Sequence, residues 1–203
     1  MKNIAIFGSS RSGKTTLAKM ISKKYPQYHV FIGDDIRWAF QDVLPYTNIN
    51  STGGTGMTDD FPNFLASLFY QSIKSNKNDF SYIVETCDVT PQKAHKLFNR
   101  EDTILLFLGT PRLTIEEYFY NIRKYQTKED WTYKKSDAEI LEHAKTWTSK
   151  SKEYEKACNS LDIWFVDTSF NRKQVLNETI TKIEKLINVT NIGNENKQMS
   201  KLL

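Results

Sequence analysis

Apolar residues along this chain gather into short runs separated by stretches with helical spacing. Residues 4–7, 29–32, 81–85, 103–108 and 163–166 read as strands. Between the first two runs, Leu17, Met20 and Ile21 share one helical face. After the second, Phe61, Phe64, Leu65, Leu68 and Phe69 recur at helical spacing, with Asp60 placed to cap and Pro62 early in the helix. Thr90-Pro91 opens a short helix carrying Ala94, Leu97 and Phe98. Ser136-Asp137-Ala138-Glu139 has the form of a capping box and starts a helix with Ile140, Leu141, Ala144 and Trp147 inward. A last helix runs through Val175, Leu176, Ile180, Ile183 and Ile187, and a polar, loose tail follows Asn188. Strands alternating with helices predict parallel βαβ units and a doubly wound α/β sheet.

Two stretches interrupt the alternation. Residues 46–60 are rich in Thr, Asn, Ser and Gly and predict a mobile loop. Residues 112–135, after the fourth strand, mix aromatic and basic side chains. Loops beyond the C-terminal ends of parallel strands are where open α/β sheets bind ligands, so both are placed to close over substrates.

Composition narrows the class. A chain of 203 residues with 39% hydrophobic and 26% charged content suits one soluble domain, here assigned to residues 1–190, with 191–203 as a polar tail. The longest purely apolar stretch, residues 104–108, is far too short to span a bilayer. The start Met1-Lys2-Asn3 leaves no room for a signal peptide before the first strand, and two cysteines, Cys87 and Cys158, suit reduced thiols in the cytoplasm. A net charge of +4 fits an anionic substrate. It favours nucleic acid little, because the basic residues are spread along the chain. His29, His95 and His143 lack metal-ligand spacing. No feature decides the oligomeric state.

Residues 8–15, Gly8-Ser9-Ser10-Arg11-Ser12-Gly13-Lys14-Thr15, spell G-x-x-x-x-G-K-[ST] between a strand and a helix. In that context the glycines let backbone N–H groups surround a polyphosphate, and the helix beginning at Lys14 adds its positive end. Lys14 would reach the β- and γ-phosphates and Thr15 would ligate Mg²⁺, with Thr16 completing the nucleotide-binding run. The strand at 81–85 ends in Glu85, where a carboxylate can bind Mg²⁺ directly or through water, with Asp88 close by as a substitute. A switch GTPase is disfavoured. Asn76-Lys77-Asn78-Asp79 has the guanine-reading letters but precedes the third strand, and no D-x-x-G occurs.

Gly33-Asp34-Asp35-Ile36-Arg37 follows the second strand directly. With the phosphate loop, it makes the chain resemble P-loop kinases of the nucleoside monophosphate kinase-like and polynucleotide 5′-kinase-like families. The resemblance covers the first 40 or so residues well and the rest as strand order. It implies a three-layer α/β/α fold, a sheet ordered 2-3-1-4-5 and a helical lid over 112–135. It also implies an ATP- and Mg²⁺-dependent kinase acting on a small-molecule or nucleotide acceptor. Asp34 would take the acceptor's hydroxyl proton, and Arg37, with Asp35 alongside, would hold an acidic substrate group. Arg123 is the favoured lid cation, with Arg112 next. Asp167-Thr168-Ser169-Phe170-Asn171-Arg172 resembles a loop that wraps adenine, with Arg172 stacked on the base; Ser169 could instead cap the last helix. Packing between lid helices is the expected use of Tyr118, Tyr120, Tyr125, Trp131 and Tyr133. Two alternatives stay open: a nucleic-acid 5′-hydroxyl kinase, and a nucleotide-binding regulator without an acceptor.

Overall fold

The first strand is the central one. In a computed structural model describing residues 1–44, 60–76 and 80–199, with side chains to residue 187, β1 (Asn3–Gly8) lies between β3 (Ser81–Thr86) and β4 (Thr103–Gly109). β2 (Tyr28–Ile32) flanks β3 and β5 (Trp164–Asp167) flanks β4, so the order is β2-β3-β1-β4-β5, with parallel pairing throughout. This is the predicted order. The glycine-rich stretch at 46–59 and Lys77, Asn78 and Asp79 lie outside the described residues.

Alternation along β1 builds the three layers. Ile4 and Ile6 face one side, where Leu17 and Ile21 of α1 (Lys14–Lys24) and Ile180 and Ile183 of α7 (Arg172–Met199) cover them. Ala5 and Phe7 face the other, under α3 (Asp60–Ser75), α4 (Pro91–Phe98) and α6 (Asp137–Ser160). Phe7 is fully buried and meets Phe98 and Phe107 edge-on at centroid separations of 4.9 and 5.7 Å. Each such ring contributes about 1.5–3 kcal/mol by burial alone. A third cluster joins α5 (Ile115–Tyr125) to α6 through Tyr118, Ile122, Ile140, Ala144 and Trp147 and reaches Cys87 beyond β3.

Several local signals act as expected. Thr90 caps α4 and Ser136 forms the capping box with Glu139; an unanticipated second box joins Thr114 to Glu117 at the start of α5. The helix after β2, α2 (Gly33–Val43), begins at once, because Gly33 lets its backbone press against β3; a Cβ there would sit 2.5 Å from that of Thr86. Two expectations need correction. The last helix continues to Met199 instead of ending near Asn188, since no proline interrupts 172–199. Phe64 and Leu141, expected inward, are each 37% exposed at the edges of their helices.

Candidate active site

Register explains how the site assembles. β1 pairs with β3 so that Ile6 lies opposite Glu85, and β2 pairs with β3 so that Ile32 lies opposite the same residue. The phosphate loop leaving β1, the carboxylate of β3 and the first turn of α2 therefore meet at one end of the sheet. Gly8 is held at φ 133 with its α-carbon against β4; a Cβ would lie 1.9 Å from the Leu108 carbonyl oxygen. Only glycine fits that approach.

The loop is braced from distant parts of the chain. The Ser9 N–H donates to the Leu108 carbonyl at 3.0 Å. The Ser151 hydroxyl donates to Ser9 Oγ at 2.8 Å, Thr168 Oγ1 to the Ser12 carbonyl at 2.8 Å, and the Tyr118 hydroxyl to the Ser10 carbonyl at 2.7 Å. Inside the loop, Ser12 Oγ and Lys14 Nζ both donate to the Ser9 carbonyl, at 2.9 and 2.8 Å. Thr15 Oγ1 donates to Glu85 Oε1 at 2.8 Å, which brings the two expected Mg²⁺ ligands together. Burial pushes the Glu85 carboxyl above its ordinary value; Lys14 and the Thr15 hydroxyl oppose the shift, while Asp34 and Asp35 add to it. A hydroxyl and a carboxylate at this spacing suit a hard divalent cation.

These groups open onto a cleft of about 360 Å³ lined by Ser10, Arg11, Lys14, Thr15, Asp34, Glu85 and Arg172, among others. Arg11, in the left-handed region at φ 60, reaches Asp130 at 3.2 Å and Thr132 Oγ1 at 3.1 Å in the segment after α5. Arg172 lies against Gly13, and its buried Nε has no hydrogen-bond partner among the described residues. Burial holds Arg172 below its usual range, with Tyr118 opposing and Arg11 reinforcing the shift. A half-buried cation without an acidic partner among the described residues, as Arg172 is, is suited to receive an anion. Arg11 as a side chain facing the cleft was not read from the sequence, because it occupies a variable position of the loop motif. An adjoining cavity of about 400 Å³ shares Thr16 and Arg172 and is lined by Asn121, Tyr125, Thr168 and Asn171.

On the opposite wall Asp34 Oδ1 accepts from Arg37 Nη2 at 2.9 Å. Arg37 Nη1 donates to Asp88, which also accepts from Thr86 Oγ1 at 3.2 Å. Burial pushes the Asp88 carboxyl up; Arg37 pulls it back and Asp34 adds to the rise. Burial acts against the Arg37 charge, but Asp88 and Asp34 more than offset it and raise its pKa. Asp88 thus serves Arg37 and does not stand in for Glu85, while Asp35 is exposed beside Asp34.

The expected lid arginines lie elsewhere. Arg123 is bound by Asp137 and by the carbonyls of Thr132 and Lys135, and so ties the end of α5 to the start of α6. Arg112 is bound by Glu155 at 2.8 Å and approaches Asp167 at 3.6 Å. Neither lines the cleft. Ser169 does not cap α7; it donates to Asp167 and accepts from the Arg112 N–H. Of the lid aromatics only Tyr118 is buried, while Trp131 lines the cleft and Tyr125 the adjoining cavity. Cys87 also lines the cleft, but burial pushes its thiol up to about 12, which rules out a nucleophilic thiolate near neutral pH.

A parallel sheet in this order, with a glycine-bounded phosphate loop after its central strand, defines the three-layer fold of the P-loop kinases. The chain superposes on a shikimate kinase from Bacteroides thetaiotaomicron with a TM-score of 0.58 at 14% identity, covering 92% of this chain and 98% of that one. A gluconokinase from Sinorhizobium meliloti 1021 gives 0.61 at 14% identity, covering 95% and 97%. A shikimate kinase from Acinetobacter baumannii in complex with shikimate gives 0.53 at 14%, covering 94% of each. These likenesses show the fold. No protein-family model and no curated protein sequence matches the chain. No helix among the described residues is long and apolar enough to cross a membrane.

Proposed function

We propose that the protein is an ATP-dependent phosphotransferase that moves the γ-phosphoryl group to a hydroxyl of a small molecule. One observation carries this reading: a phosphate loop with Lys14, Arg11 and Arg172 faces Asp34 across a single cleft. The fold shared with small-molecule kinases supports it. Phosphoryl transfer asks for positioning and charge neutralisation more than covalent help, and this cleft offers both.

The loop N–H groups and Lys14 hold the donor phosphates. Arg11 and Arg172 meet the charge that spreads over the transferring group, which gives Arg172 a phosphate contact instead of the base stacking expected from the sequence. Thr15 and Glu85 would hold Mg²⁺, which when bound neutralises phosphate charge. Arg37 fixes one oxygen of Asp34; Oδ2 has no partner among the described residues and takes the proton of the acceptor hydroxyl. The acceptor oxygen forms the new P–O bond as the bond to the leaving ADP breaks. The cavity lined by Asn121, Tyr125 and Thr168 receives the base.

Thermal shift with an unreactive ATP analogue and Mg²⁺ tests the donor half. At a hundredfold excess over Kd, binding adds about 2.7 kcal/mol, or about 5–10 °C in a chain of this size. Lys14→Ala abolishes that shift. Asp34→Asn keeps it but lowers transfer to an acceptor found by screening by about 10²- to 10⁴-fold. Full transfer by Asp34→Asn removes it as the base.

A further inference from the structure

One cation of the phosphate loop is held from across the chain. Arg11 sits at φ 60, a left-handed conformation that glycine enters freely and other residues only at a cost. Its partners show what that conformation serves. Nη1 donates to Asp130 Oδ1 at 3.2 Å and Nη2 to Thr132 Oγ1 at 3.1 Å, both in the segment 126–136 between α5 and α6. A guanidinium carries five N–H donors. Five less these two leaves three, among them the N–H of Nε, which is buried without a partner among the described residues. Arg11 is thus fixed in place with donors to spare, and it lines the same cleft as Lys14 and Arg172.

The segment that holds it is itself tied down. Asp130 Oδ2 accepts from the Thr127 N–H at 2.7 Å, so both oxygens of that carboxylate are engaged, and the Tyr133 N–H donates to the Asp130 carbonyl at 2.9 Å. Thr132 is fully buried. Arg123 donates to the carbonyl of Thr132 at 3.4 Å and to that of Lys135 at 2.8 Å, which fixes the turn from below. Segment 126–136 contains no arginine. What it brings to the phosphate loop is an acid and a hydroxyl.

Resting on the phosphotransferase reading, we infer that Asp130 and Thr132 are positioning residues, which hold the Arg11 guanidinium for the γ-phosphate of the donor. The segment then acts on the donor through an arginine of the loop instead of one of its own. A guanidinium is a planar fork, and one whose orientation is already set loses less freedom when it meets phosphate oxygens. Without Asp130 the side chain regains its rotamers and the γ-phosphate contact weakens. The rest of the donor, held by the loop N–H groups and Lys14, is little affected.

Isothermal titration of the whole chain with ADP and with the imido analogue of ATP, each with Mg²⁺, provides the test. The Kd for ADP divided by the Kd for the analogue reads the γ-phosphate contacts apart from the rest of the donor. Arg11→Met lowers this ratio about tenfold or more, the effect of losing a charged hydrogen-bond donor. Asp130→Ala lowers it about three- to fivefold with the Kd for ADP within about twofold, the size expected of one partly exposed ion pair. Thr132→Val acts in the same direction, and Asp130→Asn, which keeps an oxygen for Arg11, falls between Asp130→Ala and wild type. Placed on Arg11→Met, Asp130→Ala lowers the ratio no further, because it acts only through Arg11. A merely structural role weakens ADP and the analogue alike and leaves the ratio unmoved. An unmoved ratio in Asp130→Ala overturns the inference, as does an equal fall with and without Arg11. A raised ratio overturns it too, and marks Asp130 as a competitor of the phosphate. Should Asp130→Ala not fold, Asp130→Asn and Thr132→Val carry the same comparison. Failure of the wild-type chain to bind the analogue at all removes the phosphotransferase reading, an outcome seen before any variant is made.

Discussion

Removing Arg37 should uncover a buried charge whose cost can be titrated away. Asp88 is 3% exposed and Arg37 is its cationic partner. Arg37→Met keeps most of the apolar stem and deletes the charge. Breaking a buried pair from one side typically costs about 3–5 kcal/mol. A ceiling applies here, because Asp88 can take up a proton instead. For a carboxyl with an ordinary pKa of about 3.9, that costs about 4 kcal/mol at pH 7. The loss at pH 7 is therefore about 3–4 kcal/mol. In the variant the folded-state pKa of Asp88 lies far above its unfolded value, so the penalty is absent below about pH 4 and grows as pH rises through the folded pKa. At pH 5 it falls to about 1–2 kcal/mol. Urea unfolding followed by circular dichroism at both pH values gives the numbers by linear extrapolation. Adding Asp88→Asn to the variant restores all but about 1 kcal/mol at pH 7, since no buried charge is left. A pH-independent loss below 1 kcal/mol, or a double variant as damaged as the single one, refutes the reasoning.

Other outcomes follow from the same structure. Gly8→Ala drives a methyl group to 1.9 Å from the Leu108 carbonyl and separates β1 from β4, so stability falls by about 3 kcal/mol or more and the Tm shift with the ATP analogue disappears. The Lys135 and Ser136 hydrogen bonds hold Glu139 at about 2, so it stabilises the fold fully above its ordinary 4.5 and progressively less as pH falls toward 2. The urea midpoint of Glu139→Gln consequently lies below wild type at pH 6 and converges on it as pH approaches 2. Cys87 and Cys158 are both buried with thiols pushed up to about 12, so a disulfide reagent at pH 8 labels neither in the native protein and both after denaturation.

Local signals carried much of the fold. The apolar runs, the Thr90 cap and the Ser136 capping box depend on neighbours a few residues apart, and each is visible as spacing. Thr114-Ile115-Glu116-Glu117 has the same capping form and was equally legible. The Thr15–Glu85 contact was within reach because a strand ending in a carboxylate is recognisable before any fold is known. The acidic partners of Arg11, Arg37, Arg112 and Arg123 were not legible. Arg11 finds Asp130 across 119 positions, and Arg37 finds Asp88 across 51. Arg112 and Arg123 carry the same letters as a lid arginine, yet Glu155 and Asp137 claim them. Arginine identity reveals a charge, whereas its use depends on which acid the fold delivers to it.

The bracing of the phosphate loop also bears on when the site comes into being. Ser151 and Thr168 reach Ser9 and Ser12 across 142 and 156 positions, and β1 itself lies between strands that follow it by roughly 80 and 100 residues. Such distant pairings close late in folding. A partly folded chain holds the motif's letters but not its shape, so donor affinity appears only with β4, α6 and the loop after β5 in place. Nucleotide should therefore protect distant α6 and β5 from proteolysis as strongly as the loop it touches, because for this site there is no smaller folded unit to bind.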